Sequence, residues 1–215
     1  MGSLQSAVRV VRAGLSAVWS DLWTALVCEF IWLLSIALIL PAPPATVALF
    51  YFTNRQAHGE VAGLGDFWEG LRRYWLPAWR WGAVNLVMLL ILGGDIYLLN
   101  KGQMTALNYF LQGFYLVCLT GWVIIQFYTL PFLLEQEKPA VFTALRNGAL
   151  MFARNPGFTL WVILLLLLLC AAGTVLFLLS LGFGGALVAA TGNRAVLDRL
   201  AVQISDKSGK NREDL

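Results

Sequence analysis

The chain has 215 residues, 59% of them hydrophobic and only 13% charged, with a formal net charge of +3. Soluble domains carry about 25% charged residues, so the composition excludes an ordinary soluble domain and points to the membrane. Three surplus positive charges, spread between apolar runs, exclude a nucleic-acid-binding surface.

From the N-terminus, Leu4, Val8, Val11, Leu15 and Trp19 stand at helical spacing with Arg9 and Arg12 beside them. That is the pattern of a short basic helix lying in the membrane interface, over residues 1–20. The apolar run Leu22–Leu40 is longer than a signal-peptide core and is followed by PAPP instead of a small-residue cleavage site. It reads as a retained membrane helix capped by Asp21. A shorter helix follows over 45–57, apolar through ATVALFYF and polar at its end.

Residues 59–65 hold three glycines and read as a loop, and His58 and Glu60, on either side of Gly59, read as turn residues. Asp66 and Glu69 then stand at capping-box spacing ahead of Phe67, Leu71 and Trp75. Trp and Arg mixed at the end of an apolar run mark the headgroup level, and a span over 81–99 comes next. After a polar turn at 100–105, a long span occupies 106–132. An amphipathic helix covers 139–154 and stops at Asn155-Pro156-Gly157.

Between Arg154 and Arg194 there are 39 residues without a charged side chain. As one helix they would be about 58 Å long, nearly twice the hydrocarbon thickness, so the run is expected to turn near Leu181–Gly185. This gives spans 158–178 and 182–195. Residues 21–204 form a single membrane domain, and the polar tail 205–215 is expected to be disordered.

The fold class is thus an all-α polytopic membrane bundle. It has about six helical segments (five to six spans) in three hairpins, joined by cytoplasmic amphipathic helices. Of the 15 Lys and Arg residues, this arrangement puts 14 on the side of both termini and Lys101 alone on the other. The positive-inside rule makes the rich side cytoplasmic, in the plasma (inner) membrane. Segments 45–57 and 182–195 are the weak points, each with only about nine strongly apolar residues, or roughly 14 Å of rise.

Ionisable groups inside a span are expensive and mark functional candidates. Glu29 is the one acid well inside a span, about 10 Å from its helix start. Asn85 and Gln126 stand at similar depth on two other helices, so the three are able to meet in one layer. Such a layer would either fix helix packing by hydrogen bonds or hold a proton-coupled or substrate site. Asp95, with Tyr97 and Lys101, reads as an interfacial anchor. No catalytic constellation, metal-ligand spacing or cofactor motif is present, and Cys28, Cys118 and Cys170 read as packing residues.

Trp32, the block PPATVALFY from Pro43 to Tyr51, His58-Gly59-Glu60, and the stretch from Phe67-Trp68 to Arg73-Tyr74-Trp75 together resemble the YesL-like family of bacterial membrane proteins, a domain of unknown function. ALRNGALMFARNP, from Ala144 to Pro156, is similar to the family's second cytoplasmic segment. The family often has Asn near position 29, where this chain has Glu29. The resemblance implies an accessory role in carbohydrate uptake and carries over no catalytic residue.

The expected role is non-enzymatic: an accessory or scaffold component of a membrane transport system. Arg72, Arg73, Arg146 and Arg154 stand on its partner-facing cytoplasmic elbows. Expected partners are the lipid bilayer, other transport components or a second copy of the chain, with no nucleic acid. The alternative is a small-solute transporter or channel built on the layer around Glu29.

Overall fold

The computed structural model describes residues 3–102, 105–175 and 180–213, and every element among them is an α-helix. In chain order these are α1 (Ser3–Ser20), α2 (Leu22–Ala37), α3 (Ala42–Ala57), α4 (Leu64–Arg73), α5 (Trp75–Lys101), α6 (Ala106–Leu134), α7 (Val141–Arg154), α8 (Pro156–Val175) and α9 (Ser180–Glu213).

Helix α1 buries Ala7, Val10, Val11, Gly14 and Val18, one stripe at 3.6-residue spacing, against α8 and α9. Arg9 and Arg12 lie off that stripe. The chain then bends by 95° into α2. Asp21 fills the corner and accepts the backbone N–H of Thr24 at 3.4 Å. A second bend, of 100°, separates α7 from α8. It falls at Asn155, because Pro156 cannot continue the ladder behind it but can open a new helix.

Helix α3 is the hub. Ala45, Val47, Ala48, Leu49, Phe52 and Thr53 are buried around its circumference, and it packs on α2, α4, α5, α6 and α9. The sequence reading made this segment a marginal span starting at 45. It starts instead at Ala42, since Pro43 and Pro44 fit a first turn that needs no N–H donors. Its apolar residues face protein.

Helices α2 and α3 have 16 residues each, about 24 Å, shorter than the hydrocarbon core. Their connection, Leu38–Pro41, meets a fixed height on α5: a Cβ placed on Gly82 would lie 2.8 Å from the Pro43 ring. Gly82 is only about 10 Å along α5, which is about 40 Å long. The α2–α3 hairpin therefore ends far below the tip of the α5–α6 hairpin. Within the turn, the N–H groups of Leu38, Ile39, Leu40 and Ala42 are all bonded to nearby carbonyls, while the side chain of Ile39 is 78% exposed.

Among the described residues, only α5 and α6 are individually long and apolar enough to cross a membrane; counting each bent pair, α1 with α2 and α7 with α8, as one span gives up to four. The α5–α6 hairpin stands out of the bundle. Tyr128–Leu133 of α6 are buried, whereas Leu90, Leu98, Phe110 and Val117 further along the hairpin are exposed.

Four local expectations are corrected. Helix α4 begins at Leu64, not after Asp66: Asp66 is in its first turn and reaches back to the Gly63 N–H at 2.7 Å. The turn expected at Leu181–Gly185 is not there, because α9 is helical from Ser180, and residues 176–179 lie outside the described residues. Nor does α9 stop at 195. It runs to Glu213 through most of the tail expected to be disordered. Ala195 and Val196 are buried and Asp198 pairs with Arg9 of α1 at 3.0 Å; a helix already nucleated and docked extends at little further cost.

Candidate functional site

Glu29 is 1% exposed, the most buried acid of the chain's described residues. Its Oε1 accepts the Gly185 N–H and its Oε2 the Ala186 N–H, both at 2.7 Å. Two consecutive backbone donors thus meet one carboxylate at the sixth and seventh residues of α9, past the four N–H groups that a helix beginning leaves free. Gly185 is required for it: a Cβ there would lie 2.8 Å from the Trp32 ring and 2.9 Å from Glu29 Oε1. Trp32 is itself held by its Nε1–H donating to Thr46 of α3 at 3.0 Å.

Asn85 and Gln126 do meet, across α5 and α6. Trp81 Nε1 donates to Gln126 Oε1 at 2.9 Å, Asn85 Nδ2 donates to the same oxygen at 3.5 Å, and Trp122 Nε1 donates to Asn85 Oδ1 at 3.1 Å. Glu29 is not part of this layer, because among the described residues α2 has no packing contact with α5 or α6. The three depths were similar, but depth says nothing about which way a residue faces around its helix. Residue type alone singles out neither Trp81 nor Trp122 as a partner of these amides. Their signal was spacing: each stands four residues before the amide of its own helix, on the same face. Nearer the hairpin tip, Gln112 donates to Asn100 at 3.0 Å, Tyr115 lies beside Asp95, and Lys101 covers the Tyr97 ring.

The C-terminal end of α3 carries a polar cluster. Arg55 pairs with Glu60 at 2.6 Å and Asp66 at 3.1 Å. The Tyr51 hydroxyl donates to Glu69 at 2.9 Å, which gives that residue a role other than the capping expected of it. Glu135, just beyond α6, receives Asn54 Nδ2 at 2.7 Å and meets His58 Nε2 at 2.9 Å. His58 and Glu60 thus pin the loop as well as turning it. Asn193 of α9 donates to the Phe50 carbonyl and to Thr53, at 3.0 and 2.9 Å. Tyr74, at the joint between α4 and α5, has its hydroxyl pKa raised by burial.

The elbows are α4 and α7. Arg72, Arg146 and Arg154 are exposed and, among the described residues, make no ion pair. Arg73 pairs with Glu69 at 3.8 Å. Phe142, one turn before Arg146, is 77% exposed.

No curated protein and no solved structure matches the chain. Residues 25–96 match the model of a family described as a protein of unknown function, DUF624, consistent with the YesL-like resemblance, whose Trp32, Pro43–Tyr51, His58–Glu60 and Phe67–Trp75 all fall inside that stretch.

Proposed function

We propose that this chain is a non-enzymatic scaffold or accessory component of a membrane transport system, and that its elbows α4 and α7 receive the partner. One observation carries the reading. Both carboxylate oxygens of Glu29 are bonded to α9, and Asn85 and Gln126 Oε1 are bonded between two tryptophans, which leaves the buried Gln126 Nε2 as the one unpartnered atom of these three side chains among the described residues. Arg72, Arg146 and Arg154 on the elbows make no ion pair among the described residues, and Phe142 is exposed. An accessory role in carbohydrate uptake is what the family resemblance adds.

In this reading α1 and α7 lie along the cytoplasmic face of the plasma membrane, and the 95° and 100° bends turn the chain into the bilayer. Helices α2 and α3 form a re-entrant hairpin. Its turn is apolar and exposed, and its N–H groups are bonded within it, which lowers the cost of holding it in the membrane. A re-entrant hairpin returns the chain to the side it left, so the 14-to-1 division of Lys and Arg stands without α3 crossing.

The second reading is a small-solute transporter, favoured by Glu29 itself. An ionisable side chain inside a membrane domain commonly marks a substrate or proton pathway. Solute flux in liposomes separates the two: the purified chain alone should move no solute faster than empty vesicles, and flux abolished by Glu29→Gln would sink the scaffold reading.

A further inference from the structure

Beside the corner between α1 and α2 lies a cleft of about 520 Å³, whose walls include Ser16 and Ser20 of α1, Asp21 at the corner, Gln56 of α3, Glu60 of the following loop and Arg194 of α9. Its charges are of both signs and are not all spent internally. Arg194 donates to the Gln56 carbonyl at 3.3 Å and has no carboxylate partner among the described residues, while its buried Nε and the buried Gln56 Oε1 have no hydrogen-bond partner. Among the described residues, the Asp21 carboxylate makes only the long 3.4 Å cap to Thr24. Glu60 shares its charge with Arg55. Trp19 and Trp23 on either side of the corner are 67% and 79% exposed, as tryptophans at headgroup level are.

A guanidinium recognises phosphate oxygens, and two carboxylates recognise an ammonium. We propose that this cleft binds the headgroup of a zwitterionic phospholipid carrying a primary amine, with the phosphate on Arg194, the ammonium on Asp21 and Glu60, and the acyl chains leaving past Trp19 and Trp23. The two acids favour a lipid that brings an ammonium over phosphatidylglycerol, whose headgroup carries no cation. The inference rests on the membrane placement of the chain and not on its scaffold role, so co-purification of a partner and lipid binding succeed or fail separately.

Native mass spectrometry of the full chain in detergent, titrated with dioleoylphosphatidylethanolamine or dioleoylphosphatidylglycerol, tests it. The ethanolamine lipid should bind as one molecule, about five-fold or more in preference to the glycerol lipid. Arg194→Gln should remove that binding, and Arg194→Lys should restore most of it. Asp21→Asn keeps the cap, since Asn and Asp cap equally well; it should reduce the preference by letting the glycerol lipid bind better, a change that a merely structural Asp21 would not produce. Equal binding of both lipids, or full binding by a folded Arg194→Gln variant, would overturn the assignment. Displacement of the lipid by soluble phosphoethanolamine at equal concentration would also overturn it, by giving the cleft to a free phosphoamine.

Discussion

The carboxylate of Glu29 and the backbone of Gly185 are 156 residues apart in the chain and are joined by a 2.7 Å hydrogen bond. With the equal bond to Ala186, it ties α2 to α9 through the chain's most buried acid among the described residues. A charge removed from water is tolerated only when its oxygens are matched by donors, and these two N–H groups match both.

Glu29→Gln keeps the volume and replaces one acceptor oxygen with an NH2 group, which then faces an N–H donor. The variant should lose about 2 kcal/mol, the worth of a hydrogen bond to a charged group. For a chain of this length that is a melting temperature lower by about 4–8 °C in detergent. A variant as stable as the parent would mean that Glu29 does not hold α9.

Gly184 and Gly185 are neighbours with opposite expected responses. A Cβ at Gly184 meets nothing within 4 Å, whereas at Gly185 it meets Trp32 and both oxygens of Glu29. Gly184→Ala should be neutral or stabilising by up to about 1 kcal/mol, the helix-propensity gain. Gly185→Ala should destabilise by about 1–3 kcal/mol, because indole and carboxylate must both give way. Thermal denaturation of the two variants side by side measures the difference.

Gln126 Oε1 accepts from Trp81 and Asn85 at once. A double-mutant cycle of Asn85→Leu and Gln126→Leu should give a coupling energy of about 0.6–1.7 kcal/mol, the range measured for hydrogen bonds between membrane helices. Additive effects would mean that the two amides act independently.

The Leu38–Pro41 turn separates a re-entrant hairpin from a crossing one. In the otherwise cysteine-free chain, Cys at Ile39 should resist a membrane-impermeant maleimide from both sides of sealed vesicles, and Cys at Gly102 should react from the outside. Labelling of position 39 from outside would show that the hairpin crosses.

Much of this fold was legible in the sequence. Hydropathy marked α5, α6 and α8 because each contains a long apolar run, uncharged throughout α6 and α8, and the apolar stripes of α1 and α7 appeared at helical spacing. The surroundings of α3 were not legible, since a helix buried among helices and one buried in lipid have the same apolar sequence. The partner of Glu29 was hidden for a different reason. Backbone N–H groups exist at every position and carry no residue-specific signal. Asn85 and Gln126 could be paired by depth, but only packing showed that α3 and α9, not α5 and α6, lie next to α2.

The central claim is that function resides on the elbows and not in the intramembrane polar groups. Its most direct test is affinity purification of the tagged full chain from native membranes in mild detergent, beside the Phe142→Ser/Arg146→Ala and Glu29→Gln variants. The expected result is a transport component recovered one-to-one with the parent and with the folded fraction of Glu29→Gln, and lost from the elbow variant. Recovery of the parent chain with no partner, or a partner retained equally by the elbow variant, would contradict it.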